Sequence, residues 1–318
     1  MSMFIEVLKP GAQSQLQDLG RHGHQHLGVP VGGAMDQDAH RLANLLVGNA
    51  PGEATLEIVL MGPSLRFGAA AQIAVCGADL SPALDGVPLA LNARIDVPAG
   101  AVLAFGRRVN GMRTYLAVRG GFPVPLVLGS RSTLVRGGFG GHQGRALRKG
   151  DQLPMADLPA ASPAPAPATL RSLVNPLPAA ETSVLRVLLG EHWAGFTPEA
   201  QALFTSAAYR ISPQSDRMGY RLDGPPMLRS VPGELLSEAI SFGSIQVPPD
   251  GQPIVLMAER QSTGGYPKIG HVISVDLPLL AQLAPQQALR FAPVSIETAQ
   301  TLYLQRERQF AAAGGACT

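Results

Sequence analysis

The sequence predicts a mostly β protein built as two domains, with a few short helices. Its 36 glycines and 28 prolines recur between short apolar runs, the punctuation of many short strands. Its length, 318 residues, exceeds what one hydrophobic core usually serves, so two domains are expected. The halves also repeat one another faintly. Pro51-Gly52-Glu53…Glu57…Gly62 is matched without a gap by Pro232-Gly233-Glu234…Glu238…Gly243, and Asp36, Arg41 and Leu42 by Asp216, Arg221 and Leu222. A repeat this long reads as two copies of a domain rather than a solenoid.

Strands are expected at Gln72–Val75, Ala101–Phe105, Thr114–Val118, Val184–Leu189 and Pro253–Ala258. A first helix is expected from Asp36 to Val47: Ala39, Leu42, Ala43 and Leu46 share one face, Asp36 caps the start and Gly48 follows the end. Thr197-Pro198-Glu199 has the cap, proline and acidic first turn of a second. Ser295 to Ala312 reads as a C-terminal helix. The Pro/Ala-rich run from Leu158 to Thr169 lacks core-forming residues and reads as an extended linker. The expected domains are residues 1–157 and 181–318, joined by 158–180.

Composition narrows the function classes. The chain is 46% hydrophobic and 15% charged, which suits a well-buried globular protein. A net charge of +2 and 5% aromatics give no reason to expect nucleic acid or an anionic membrane as partner. Cys76 and Cys317 make a disulfide framework improbable and fit a cytoplasmic location. The start, MSMFIEVLKPG, does not read as a secretion signal, and no apolar run approaches the roughly 20 residues needed to span a bilayer.

The densest chemistry lies in Glu259-Arg260-Gln261-Ser262-Thr263-Gly264-Gly265-Tyr266-Pro267-Lys268, between the apolar run Pro253–Ala258 and the strand-like run His271–Val275. Glycines let the backbone approach a ligand, and Lys and Arg hold an anion or a developing negative charge. A plain polar turn between strands is the alternative reading. His22, His24 and His26 would share one face of a strand, where a metal is conceivable, but no nearby Cys or acid completes a set, so no metal site is assigned. The loop Gly137–Arg145 has the glycines of an anion cradle but lacks the Gly-Lys-Ser/Thr of a P-loop, and reads equally as a hairpin-like connection. Gly129-Ser130-Arg131-Ser132-Thr133 adds a cation and three hydroxyls. In Pro213–Leu222, Asp216 can orient Arg217 or Arg221, or simply form an ion-paired turn. No Gly-x-Ser-x-Gly elbow is present, and Cys76 reads as a small buried residue.

The string ERQSTGGYPKIGHVISVDLPLLAQLAP (Glu259–Pro285) resembles the C-terminal signature of the biotin-dependent carboxyltransferase-like family. This is the group of the second allophanate hydrolase subunit and the Kip antagonist, which also includes the C-type components of ATP-dependent 5-oxoprolinases. DLGRHGHQHLGVPVGGAMD (Asp18–Asp36), ANLLVGN (Ala43–Asn49), YLAVRGGF (Tyr115–Phe122), LGSRST (Leu128–Thr133), SDRMGYRL (Ser215–Leu222) and GSIQVPPDGQPIVLMAERQSTGGYPK (Gly243–Lys268) follow in the family's order. His24 stands where the family commonly has Tyr, and Glu259 where it commonly has Asp. The Pro/Ala-rich run falls where members vary in length.

The resemblance implies a pair of cyclophilin-like β-barrels related by duplication. It implies two partner chains: a smaller B-type component like the Kip inhibitor, and an A-type component. The implied activity of the assembly is ATP-dependent opening of the 5-oxoproline lactam to glutamate, with magnesium accompanying the ATP and little activity expected of this chain alone. Two alternatives follow from the same family. One is the carboxyltransferase component of a biotin-dependent urea or amide carboxylase. The other is a non-enzymatic antagonist of a Kip-inhibitor-like kinase regulator. The expected catalytic residues are Lys268, Arg260 and Glu259. Ser262, Thr263, Gly264, Gly265 and Tyr266 are expected to bind substrate, joined by Arg131, Ser132 and Thr133 if the barrels face each other, with Asp216 and Arg217 as further candidates.

Overall fold

A computed structural model of the protein describes residues 3–156, 173, 177, 182–230 and 235–315. The chain divides into two compact units: Met1–Arg21, Gly32–Leu177 and Arg308–Thr318 form the first, and His22–Val31 with Pro178–Glu307 the second.

In the first unit, one sheet runs in the order β11 (Gln152–Pro154), β1 (Phe4–Lys9), β4 (Ser64–Phe67), β9 (Val102–Ala104), β6 (Ala83–Leu84), β7 (Val87–Pro88). The other runs β2 (Gln13–Gln17), β3 (Thr55–Val59), β10 (Asn110–Val118), β5 (Ala71–Asp79), β8 (Arg94–Val97). Alternate residues of both sheets meet in one core: Ile5, Val7, Leu65 and Phe67 from the first, Leu16, Leu56, Ile58 and Leu116 from the second. The opposite face of the five-stranded sheet is also covered, which is why β3 is buried along its whole length. There α1 (Gln37–Leu46) lays Ala39, Leu42, Ala43 and Leu46 against Ala74, Cys76, Tyr115 and Ala117. Asp36 caps this helix, accepting a hydrogen bond from the Ala39 amide at 2.9 Å.

The second unit is a closed barrel in the order β12 (Thr182–Leu189), β19 (Lys268–Val272), β16 (Ser244–Gln246), β17 (Ile254–Leu256), β14 (Gly219–Asp223), β13 (Tyr209–Ile211), β20 (Ala288–Pro293). The parallel pairing of β12 with β20 closes the ring, and the other pairings are antiparallel. Closure leaves no open edge. Leu185, Val187, Tyr209, Tyr220, Ile245, Val255, Ile269 and Phe291 are buried here. The second helix, α2 (Pro198–Ser206), starts at the Thr197 cap and places Phe204 in a stack on Phe291, centroids 4.7 Å apart. A short α3 (Leu277–Ala281) and a final α4 (Ile296–Gly315) complete the helices of the described residues.

Two sequence expectations change. The strand-like run His271–Val275 stops at Val272 and turns into a 3-10 helix, Ser274–Asp276. The cause is Asp276, whose carboxylate accepts from the Arg186 backbone amide (2.7 Å), its Nε (3.0 Å) and its Nη2 (2.5 Å), pulling the chain out of the ladder. The Asp36/Asp216 correspondence is not kept in local structure either: Arg41 and Leu42 lie in α1, whereas Arg221 and Leu222 lie in β14. Pro232-Gly233-Glu234 and Leu158–Thr169 lie outside the described residues.

Candidate functional site

The Glu259–Lys268 segment leaves the barrel after β17 and re-enters it at the first residue of β19. Between them Thr263–Gly264 (β18) pairs with Glu238–Ala239 (β15) as a two-stranded lip. A Cβ at Gly264 would come within 2.5 Å of Gln246 Nε2, so the Gln246 carboxamide packs directly over this glycine. The turn sends its side chains in three directions.

Glu259 turns inward. Its carboxylate takes the Arg217 Nε hydrogen at 2.5 Å, and its amide donates to the Arg217 carbonyl at 2.8 Å. Both side chains are buried, 6% and 7% exposed, so this is an interior ion pair. Asp216 closes the adjoining turn by accepting from the amides of Met218 (2.7 Å) and Gly219 (3.2 Å).

Arg260 is half-buried, which lowers its pKa from the usual value. Its Nε and Nη1 donate to the carbonyls of Ile240 and Met257, each at 3.4 Å, and its guanidinium lies 5.8 Å from the Phe242 ring centre. Ser262 Oγ is buried and has no hydrogen-bond partner among the described residues. Thr263 is exposed. Gly265, Tyr266 and Pro267 form part of the wall of a pocket of about 620 Å³, with Met227, Arg229 and Val247.

Lys268 is buried and clamped. Its ammonium pairs with Glu191 and with Glu238 (3.0 Å) and donates to the Ala239 carbonyl (3.3 Å). Burial disfavours the charge, but the two carboxylates outweigh it and hold the pKa above the usual value. Lys268 is therefore a fixed cation and not a base. His271 extends the group: its Nε2 lies 3.0 Å from Glu191 Oε2, and its Nδ1 3.2 Å from Ser244 Oγ. Glu191, His192 and Glu238 have the separations of a metal-binding set. The ammonium already bridges the two carboxylates, and His192 Nδ1 accepts from the Lys268 amide at 3.1 Å, so these residues do not fit a divalent cation as they stand.

Arg131, Ser132 and Thr133 belong to the first unit, where the first two bond Asp18. Its carboxylate accepts from Ser130 Oγ (2.7 Å), Ser132 Oγ (2.5 Å) and the Arg131 amide (2.6 Å). Burial raises the Asp18 pKa, yet these hydrogen bonds overcome it and the net shift is downward. Thr133 Oγ1 donates to the Leu16 carbonyl, and Arg131 Nη1 reaches Glu53 at 3.4 Å. These groups are committed to local architecture. In the glycine-rich loop the amides of Gly137 and Phe139 donate to the Leu134 carbonyl, Gly138 to Val135 and Gly144 to Gly140, so these four are already engaged and do not cradle a phosphate. Gln25–Leu27 is a 3-10 turn, so the three histidines do not share a strand face.

The profile of the family described as "Carboxyltransferase domain, subdomain A and B" matches residues 27–293. The chain is 39% identical to the C-type component of 5-oxoprolinase from Haemophilus influenzae over 95% of both chains, and 38% identical to its Escherichia coli counterpart over 96% of both. The crystal structure of the Kluyveromyces lactis urea carboxylase superposes with a TM-score of 0.92 at 33% identity, covering 98% of this chain and 29% of that one. The chain belongs to the carboxyltransferase A/B family.

For this carboxyltransferase-family chain, sequence reasoning missed Glu191, His192, Glu238 and His271. Gly190-Glu191-His192 ends the strand β12 in polar residues, the same signal that singled out Glu259–Lys268. The clamp carries a pH signature. Burial raises the Glu191 carboxyl, but hydrogen bonds from Lys268 and His271 prevail, and it is depressed from 4.5 to about 2. Its stabilisation is thus complete above the unfolded value and is lost as pH falls from 4.5 towards about 2. Glu191→Gln is expected to flatten the acid limb of the urea-midpoint curve across that window. Parallel limbs for variant and parent would show that the clamp contributes nothing.

Proposed function

We propose that this chain is the C-type component of an ATP-dependent 5-oxoprolinase, acting with A- and B-type partner chains to open 5-oxoproline to glutamate. The observation that carries the reading is the near end-to-end match to two proteins named as that component. In this reading ATP phosphorylates the lactam oxygen and leaves as ADP, water adds to the ring carbon, the C–N bond breaks with a proton passing to the nitrogen, and a second water hydrolyses the resulting acyl phosphate to glutamate and inorganic phosphate. ATP and magnesium are assigned in this reading to a partner chain.

This chain supplies fixed charge and shape. Lys268, locked as an ammonium, faces negative charge developing on oxygen. Arg260 has donors beyond the two already used and takes the substrate carboxylate. Ser262 Oγ, buried without a partner among the described residues, supplies a hydrogen bond. Gly264 and Gly265 allow close approach of the backbone, and Tyr266 walls the pocket. Glu259 acts through Arg217, holding the turn from behind. Thr263, Asp216 and the Arg131–Thr133 group are given no part in the chemistry.

A second reading is favoured by the likeness to urea carboxylase: a carboxyltransferase component using carboxybiotin and an amide acceptor. These 318 residues contain no Met-Lys pair for biotin attachment, so in this reading the biotin is carried outside them. Reconstitution with A- and B-type partners separates the two. Glutamate from 5-oxoproline and ATP supports the first. Turnover of urea only with bicarbonate and a biotinylated carrier overturns it in favour of the second.

A further inference from the structure

An ammonium has three hydrogens to give and no acceptor. On Lys268 all three meet acceptors among the described residues: a Glu191 oxygen, Glu238 Oε2 at 3.0 Å and the Ala239 carbonyl at 3.3 Å. Engaged in this way, Lys268 offers its charge to an oxygen outside the set but no hydrogen bond. To donate one, it must let an acceptor go. The Lys268 side chain is 6% exposed while both glutamates are exposed, so an anion from solvent meets a carboxylate before it meets the ammonium.

The two carboxylates are held differently. Glu191 follows β12, and its Oε2 takes a hydrogen from His271 Nε2 at 3.0 Å. His271 stands opposite Ser244 on the neighbouring strand, Nδ1 to Oγ 3.2 Å, and Ser244 Oγ lies 3.0 Å from Ser241 Oγ. Glu191 is thus braced from the barrel wall. Glu238 and Ala239 are neighbours on β15, half of the two-stranded lip that is separate from the barrel sheet. Two of the three ammonium hydrogens are therefore held by adjacent residues of one short exposed element, and the third by a braced carboxylate. The same two chain segments border a cavity. Leu235, which precedes Glu238, and Gly265, Tyr266 and Pro267, which precede Lys268, line the pocket of about 620 Å³.

We infer that the Glu238 carboxylate is an internal stand-in for the ligand: it occupies an anion subsite on Lys268, and an oxyanion, a carboxylate or a phosphate, binds there by displacing it. Glu191 stays, keeping the ammonium charged and in place. Glu238 yields, and the hydrogen it held passes to the ligand oxygen. Such a charge-assisted bond forms only after the exchange, so the lip acts as a latch over Lys268. A clamp with only a structural role would treat the two carboxylates alike. The inference rests on the part given to Lys268 in the amide-opening reading above, and it names what must leave before that part is played.

The test follows the Lys268 Cε signal by NMR in the full-length chain, carbon-labelled at lysine, as 5-oxoproline or inorganic phosphate is added without ATP or partner chains. The lysines of the chain are Lys9, Lys149 and Lys268, and Lys268→Met assigns the signal. At least one probe is expected to shift it, and which one does distinguishes a carboxylate from a phosphate ligand. Glu238→Gln is expected to lower the half-saturating concentration about tenfold, the effect of removing one charged competitor. Glu191→Gln removes the same charge from the same ammonium but leaves Glu238 seated. Its half-saturation is expected to stay at least about threefold above that of Glu238→Gln. No shift with either probe, or equal half-saturation in the two variants, would overturn the inference. The shift in the parent chain needs no variant, so its absence overturns the inference even where a variant fails to fold. A shift with phosphate alone would support the latch and strike 5-oxoproline as its ligand. Failed turnover of 5-oxoproline in the reconstituted complex would instead strike the proposed function and leave this binding result standing.

Discussion

Lys268→Met is expected to lower ATP-dependent lactam cleavage by the reconstituted complex about a hundredfold or more, the usual consequence of losing one preorganised charge stabiliser. The ammonium is held from two sides by Glu191 and Glu238, so its charge and place are set before substrate arrives. Such preorganisation is what makes a fixed charge effective, because little rearrangement remains for the reaction itself. The substitution also leaves two carboxylates facing one another across the lip, so Tm and circular dichroism must accompany the rate. The informative arm is the charge-neutral triple variant Lys268→Met, Glu191→Gln, Glu238→Gln, in which that repulsion is absent. It is expected to regain thermal stability and not rate. Full activity in a folded Lys268→Met complex would remove Lys268 from the chemistry.

Arg217→Ala and Glu259→Ala are each expected to destabilise the second unit by about 3–5 kcal/mol, the range for stranding one member of a buried ion pair. The pair is 2.5 Å apart and almost without exposure, so the remaining charge cannot reach water. Arg217→Met with Glu259→Leu removes both charges and is expected to recover most of that loss, as apolar replacements of buried pairs do. Urea unfolding checks this, read with a probe specific to the second unit because two units need not melt together. Single variants within about 0.5 kcal/mol of the parent would show that the pair is not an interior one.

How much of this was legible in the sequence depended on the range of the interaction. Local signals held: the Asp36 and Thr197 caps start helices at those places, and the runs Thr114–Val118 and Val184–Leu189 lie in β10 and β12. Long-range pairings were silent. Nothing in Glu259 announces Arg217, 42 residues away, and nothing in Lys268 announces Glu191 and Glu238. The run His271–Val275 reads as strand by composition, and only Arg186, 90 residues from Asp276, ends it. Closure of the barrel by a parallel β12–β20 pair leaves no local trace. The decapeptide's density of polar residues was visible, but its division into an inward Glu259, a pocket-lining Tyr266 and a clamped Lys268 was not. That division depends on which distant chain segments meet it.

The central claim is that this chain serves lactam opening. It is tested most directly by glutamate release from 5-oxoproline in the reconstituted complex, with ATP present and biotin removed by avidin. The account predicts release that requires this chain and is unchanged by avidin. Release that proceeds at the same rate without this chain, or that avidin abolishes, would contradict it.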